Sequence, residues 1–326
     1  DNSFGSRNYK WTYWGSRTSD GYLAMMEQAG QEKEEFLSYK YAAFQMLSQC
    51  TKDGLLYGGP DYRDHGELPC IHHTFCKAKA VAAFLDGGVT ETKRRGRLPE
   101  ETRIYRYPEL LTEQYFCGGF YGTATVNDVL YQKGGHISGG TMGMLWHEKT
   151  GPLLAASVTR YSLYEVTNSQ LSLKKKDLGK MALRFEESVD KNLFASDQDF
   201  AAELKSTREP EMIRAGVKGT LRTLELEPGG PYRFLYEISR NRFAARCFSD
   251  AKGRLYVPLI GRSIDRQGEN TFLLTARTGG KVRITAEGIL EGVKKRFHLC
   301  GGFIAWEFEI SPVQGQTGVV LEVLKE

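Results

Sequence analysis

The sequence predicts an α+β chain of more than one domain. A short α-helical region over residues 1–98 is followed by a large antiparallel β-sandwich over residues 99–326. Three observations carry this. Apolar residues recur at helical spacing at Leu37, Tyr41, Phe44 and Leu47, and again at Ile71, Phe75, Ala78, Ala82 and Leu85. Beyond about residue 103 the period drops to two, as where Ile304, Trp306, Phe308 and Ile310 alternate with Ala305, Glu307 and Glu309. About eleven such runs, separated by Gly, Asp and Asn turns, suit an antiparallel sandwich rather than a parallel sheet.

Residues 1–19 are rich in Gly, Ser, Arg and aromatics without a period, which predicts a loop whose Tyr9, Trp11, Tyr13 and Trp14 either line a cleft or anchor on the core. Ser19-Asp20 is an N-cap for a helix to Ala29, and a second helix over 31–50 ends at Asp53-Gly54. A turn-rich loop then reaches Pro69, and a third helix over 70–85 stops at Gly87-Gly88. Strands are expected over 114–126, 141–147, 153–164, 181–185, 220–226 and 232–238, then over 255–260, 270–276, 281–286, 302–310 and 318–324.

With 326 residues, 40% hydrophobic and 26% charged, the chain is globular and long enough for two domains. It has no run of about 18 apolar residues of the kind that crosses a membrane. A net charge of +4 with isolated basic runs excludes a polybasic arm and fits an acidic substrate without requiring one. The six cysteines lack C-x-x-C spacing, which argues against zinc ribbons and thioredoxin motifs.

The chemistry concentrates in residues 53–84, which hold His65, His72 and His73, three of the six histidines. Adjacent histidines on a helix cannot share a face, though a helix start exposes both toward a cleft. Phosphate loops, dinucleotide fingerprints, H-E-x-x-H and G-x-S-x-G are all missing from the sequence. Asp61, Asp64 and Glu67 offer carboxylates for glycoside hydrolysis. Tyrosine beside histidine suits another reaction. Removal of the proton next to a carboxylate needs a base, and a tyrosine lowered from a pKa near 10 by neighbouring cations can supply it. A histidine bonded to the carboxylate stabilises the enolate-like charge, and the same tyrosine protonates the departing oxygen. Tyr57, Tyr62, Arg63, His65, His72 and His73 hold that inventory.

The stretch from His136 through Ser138-Gly139-Gly140 to His147 and on to Gly151-Pro152-Leu153-Leu154 resembles the pattern of the heparinase II/III-like polysaccharide lyases. The run from Asp53-Gly54 through Tyr57 and Tyr62 to His65-Gly66 is similar to a loop of several such enzymes, without its Ser and Gln. The resemblance implies that the helical region is a partial α/α toroid. It further implies β-elimination on an acidic, uronic-acid-containing polysaccharide, and a secreted or periplasmic enzyme whose leader lies outside this sequence. Tyr57, Tyr62, His72, His73 and His136 would be catalytic, and Trp14, Arg17, Arg63, His65 and Trp146 would bind substrate. The family's loop commonly carries a second His and an Asp associated with a structural metal. Ser138 and Gly140 stand in those places, so no metal or other cofactor is expected. The alternative is a non-catalytic glycan-binding or scaffolding part of a larger protein, because residues 1–90 hold too few helices for a whole toroid.

Overall fold

A computed structural model describes residues 48–57, 60–66, 101–126, 137–156, 180–298 and 302–325. Their chain begins with a small hairpin of β1 (Thr51–Lys52) and β2 (Leu55–Leu56). Five strands follow as an antiparallel meander: β3 (Arg103–Tyr107), β4 (Thr112–Cys117), β5 (Phe120–Thr125), β6 (Met142–His147) and β7 (Gly151–Ala155).

The remaining strands form one antiparallel sheet of thirteen. They are β8 (Arg184–Val189), β9 (Asn192–Ala195), β10 (Glu203–Glu209), β11 (Met212–Arg222), β12 (Pro228–Ser239) and β13 (Arg242–Phe248). Then come β14 (Arg254–Ile260), β15 (Ser263–Arg266), β16 (Thr271–Thr275), β17 (Lys281–Glu287), β18 (Ile289–His298), β19 (Phe303–Ser311) and β20 (Gln316–Val323). The sheet has two arms. One runs β15-β16-β17-β20-β13-β12-β11, with β10 also on β11, and the other runs β9-β8-β14-β19-β18. They join where β11 is bulged between Thr220 and Arg222 and Arg222 pairs with Ala195. A bulge bends and twists its strand, so the arms can turn to face each other. Phe272 of β16 meets Phe308 of β19 edge-on, with ring centroids 5.2 Å apart.

Alternation decides which side chains fill the space between. Phe234, Tyr236 and Ile238 of β12 share one core with Leu255, Val257, Phe308 and Ile310 of the second arm. Tyr115, Phe120, Leu145 and Leu153 of the five-stranded sheet join that core, and Tyr115 and Ser206 hydrogen-bond through their hydroxyls at 3.1 Å. Cys117 and Cys247 are buried thiols within it.

The α+β class needs correction. The described residues are almost all strand, and no α/α toroid occurs among them. Helical geometry there is confined to residues 48–50 and two 3-10 turns, Pro108–Leu110 and Ser196–Gln198. Asp53-Gly54, read as a helix stop, is a two-residue hairpin turn with φ of 49° and 76°. Asp-Gly suits that turn because both positions take positive φ. The helices predicted over 20–29 and 70–85 lie outside the described residues, as do residues 31–47 of the one predicted over 31–50, whose last three residues are helical. The single strand expected over 114–126 is two, β4 and β5, broken at Gly118-Gly119 with φ of 55° and 90°. Only glycine fits at 118, since a Cβ there would lie 2.4 Å from Arg240 Cα.

Candidate active site

The segment that carries the predicted tyrosines docks where the two sheets meet. Cys50, Tyr57 and Tyr62 are buried with Met144 and Ala155 of the five-stranded sheet and with Ile260, Phe297, Phe303 and Ala305 of the large one. A turn over 60–66 is held at several points. Asp61 forms an ion pair with Arg277, and its second carboxylate oxygen accepts the Ile304 N–H at 2.8 Å. The Asp61 N–H donates to the Gly302 carbonyl, and the His65 N–H donates back to the Asp61 carbonyl, both at 2.9 Å. The His65 ring stacks on Phe297 at 4.1 Å with planes 5° apart, and Tyr62 meets the same ring edge-on at 5.3 Å. Asp61, a carboxylate that hydrolysis would need exposed, is therefore spent on docking. No local signal announces this, because Arg277 lies 216 residues away in sequence.

Of the predicted site residues, Tyr57, Tyr62 and Trp146 are brought into this one cluster, Trp146 as a partly buried neighbour. Tyr57 is 8% exposed and Tyr62 only 1%. His65 is half-buried beside them, and Arg63 points outward to an ion pair with Asp53 at 2.5 Å. Trp14, Arg17, His72, His73 and His136 lie outside the described residues.

The glycine turn after position 136 is closely packed. The Ser138 N–H donates to the Asp197 carbonyl at 3.0 Å and the Gly140 N–H to the Thr125 carbonyl at 2.7 Å. The Tyr232 hydroxyl donates to the Gly139 carbonyl at 2.9 Å. Gly140 has φ of 71°, and a Cβ there would stand 2.3 Å from the Val217 side chain. A carboxylate at that place has no room, and Ser138 offers only a hydroxyl. The residues at these two positions do not fit the metal that the resemblance associates with them.

Asp197 also belongs to a buried ionic network under the second arm. Lys180 bridges Asp197 and Glu186, each at 2.9 Å. Arg184 bonds Glu186 at 2.7 Å and Glu307 at 3.1 Å, with its guanidinium 4.4 Å from the centroid of the Tyr256 ring. Arg296 bonds the other oxygen of Glu307 at 2.6 Å. Burial would raise the Glu186 carboxyl, but the Arg184 and Lys180 charges overcome it and hold that group at about 2. Each carboxylate in the network bonds a cation, while the second oxygen of Asp197 is buried without a hydrogen-bond partner among the described residues.

Residues 104–325 match the ulvan lyase C-terminal domain, and residues 1–102 match the ulvan lyase N-terminal domain. The chain belongs to the ulvan lyase family. The broad-specificity ulvan lyase of Formosa agariphila is 35% identical over 220 residues, which are 65% of this chain and 34% of that protein. The chain thus spans about a third of that relative's length. Among solved structures, galactose 1-epimerase from Lactobacillus acidophilus is 8% identical with a TM-score of 0.36, covering 68% of this chain and 98% of its own. A galactose mutarotase-like protein from Clostridium acetobutylicum is 7% identical with a TM-score of 0.37, covering 68% and 97%. At those scores neither likeness bears on this chain. The ulvan lyase matches agree with the expected polysaccharide lyase class, while the finer heparinase II/III-like assignment does not follow from them. Among the described residues no helix is long and apolar enough to cross a membrane.

Proposed function

We propose that this chain is part of a polysaccharide lyase that cleaves an acidic, uronic-acid-containing glycan by β-elimination. The observation that carries the reading is the match to both ulvan lyase domains over 1–102 and 104–325. The clustering of Tyr57, Tyr62 and Trp146 at the seam between the sheets supports it. In this reading one of the tyrosines takes the proton next to the carboxylate and returns it to the departing oxygen. His72, His73 and His136 are the proposed partners that neutralise the carboxylate. Trp14, Arg17, Arg63, His65 and Trp146 are the proposed substrate contacts. A substrate too large to cross a membrane places the enzyme outside the cell or in the periplasm.

The burial of Tyr57 and Tyr62 favours a second reading, in which these residues only anchor the turn and the chain binds glycan for a larger enzyme. Ultraviolet absorbance of the unsaturated uronate product, followed on a panel of acidic polysaccharides, separates the two. A signal that grows with the natural chain and disappears in Tyr57→Phe or Tyr62→Phe is the result expected of the lyase. Glycan binding by a folded chain with no signal on any substrate would replace it with the binding reading.

A further inference from the structure

The face of β10, β11, β12, β13 and β20 turned away from the core carries rows of charge set by the strand register. In two rows the arginines are matched. Arg246 bonds Glu237 at 2.8 Å and Glu287 at 2.6 Å, and Arg214 bonds Glu237 at 3.2 Å. The row at one end differs. It reads Glu203, Lys218, Arg233, Phe248 and Gln316 across the five strands, so Lys218 and Arg233 stand directly opposite each other. Both are exposed, and among the described residues no carboxylate bonds either one. Glu203 turns instead to Lys205 at 3.7 Å. Like charges directly opposite on paired strands cost stability. This pair carries that cost without the compensation its neighbours have.

The two cations border a shallow cavity of about 470 Å³ that is open to solvent on one side. Phe248, Ser249, Asp250 and Gln314 complete much of its wall. The Arg233 guanidinium is held 4.4 Å from the centroid of the Phe248 ring, which fixes a charge beside an apolar surface. Ser249 is fixed too, its hydroxyl donating to the Pro231 carbonyl at 2.8 Å and its N–H to the Gly315 carbonyl at 3.0 Å. Asp250 and Gln314 are exposed there and can bond sugar hydroxyls. The cavity shares no residue with the cluster of Tyr57 and Tyr62.

We infer that this cavity is a subsite for an acidic sugar residue, whose carboxylate or sulfate is taken by Lys218 and Arg233 and whose ring lies beside Phe248. It would hold a polysaccharide chain away from the bond being cut, and so rests on the proposed acidic-glycan substrate. The geometry favours a glycan over a plain polyanion because an aromatic ring and hydroxyl-bonding groups flank the charges.

The test is binding of the full chain to immobilised alginate (carboxylate only), carrageenan (sulfate only), dextran (neutral) and polyphosphate, read without turnover. The Lys218→Ala/Arg233→Ala double variant should lose at least about tenfold in affinity for alginate, carrageenan or both, the loss of two charge-assisted bonds. Which arm responds names the group that is bound. Arg242→Ala, on the same face and away from the cavity, should change nothing, and matched melting curves guard against misfolding. Unchanged affinity in the double variant would overturn the subsite. So would equal binding of dextran, or polyphosphate bound as tightly as the glycans. Loss of elimination in the tyrosine variants with this binding intact bears on catalysis alone. Intact elimination with no binding change in the double variant bears on the subsite alone.

Discussion

Asp61 and Arg277, 216 residues apart, form an ion pair that fastens the turn bearing Tyr62 onto the sandwich. Both side chains are close to fully buried, at 6% and 11% exposure. Removing Arg277 leaves the buried Asp61 carboxylate without its cation, with the Ile304 N–H still bonded to one oxygen. Arg277→Ala should cost about 3 kcal/mol and speed amide exchange over residues 60–66 before the sandwich core is affected. A loss below about 1 kcal/mol with unchanged exchange would show that the apolar cluster alone holds the turn.

Tyr57 and Tyr62 are both buried, so activity and stability must be read together. If Tyr57 or Tyr62 is the acid/base group, its Phe variant should lower the elimination rate by about 10²–10⁴-fold while the melting temperature stays near that of the natural chain. A loss of activity that tracks a loss of stability would assign the residue to packing instead.

Placing an aspartate at position 140, where the resembled pattern has one, should fail. Gly140→Asp would force a side chain into Val217 and leave a non-glycine residue at φ of 71°. Overpacking with backbone strain should destabilise by about 3 kcal/mol. Melting with and without added zinc checks it, and stabilisation by zinc would refute the steric argument.

Acid should unfold the chain partly through Glu186. Its folded carboxyl lies at about 2, below the ordinary 4.5. A depressed carboxyl contributes stability that is present above about 4.5 and lost as the pH falls toward 2. The shift corresponds to roughly 3 kcal/mol, and Glu186→Gln should flatten the acid limb of a stability-versus-pH curve. His147 adds a smaller loss at higher pH. Burial against Phe120 holds its pKa below 6.5, so the unfolded chain gains the proton first and stability declines as the pH drops below that value.

The strands that were legible are those whose two faces differ most. Tyr232, Phe234, Tyr236 and Ile238 alternate with Arg233, Leu235 and Glu237, and β12 lies where that pattern puts it. In strand β13, Arg-Phe-Ala-Ala-Arg-Cys-Phe, two adjacent alanines, both fully buried, blur the alternation that would mark a strand. Strand β10, Glu-Leu-Lys-Ser-Thr-Arg-Glu, is polar along its length and reads as a loop until β11 pairs with it. Asp53-Gly54 is a turn signal that does not by itself name its partner: it closes a helix or a hairpin according to what the following chain meets, and here it closes a hairpin.

By itself the sequence determined the antiparallel strands, through a period of two that any solvent-facing sheet must obey. It also placed glycines where only a residue without a Cβ can pass, as at 118 and 140. The tertiary structure alone decided which charges are spent and which are left over. Asp61 became a docking residue because Arg277 and the Ile304 amide arrive from the sandwich. Lys218 and Arg233 were left facing a cavity because the register sets them opposite each other while their neighbours meet glutamates. Charge pairing depends on distance, and distances between residues so far apart along the chain exist only once the sheets have closed.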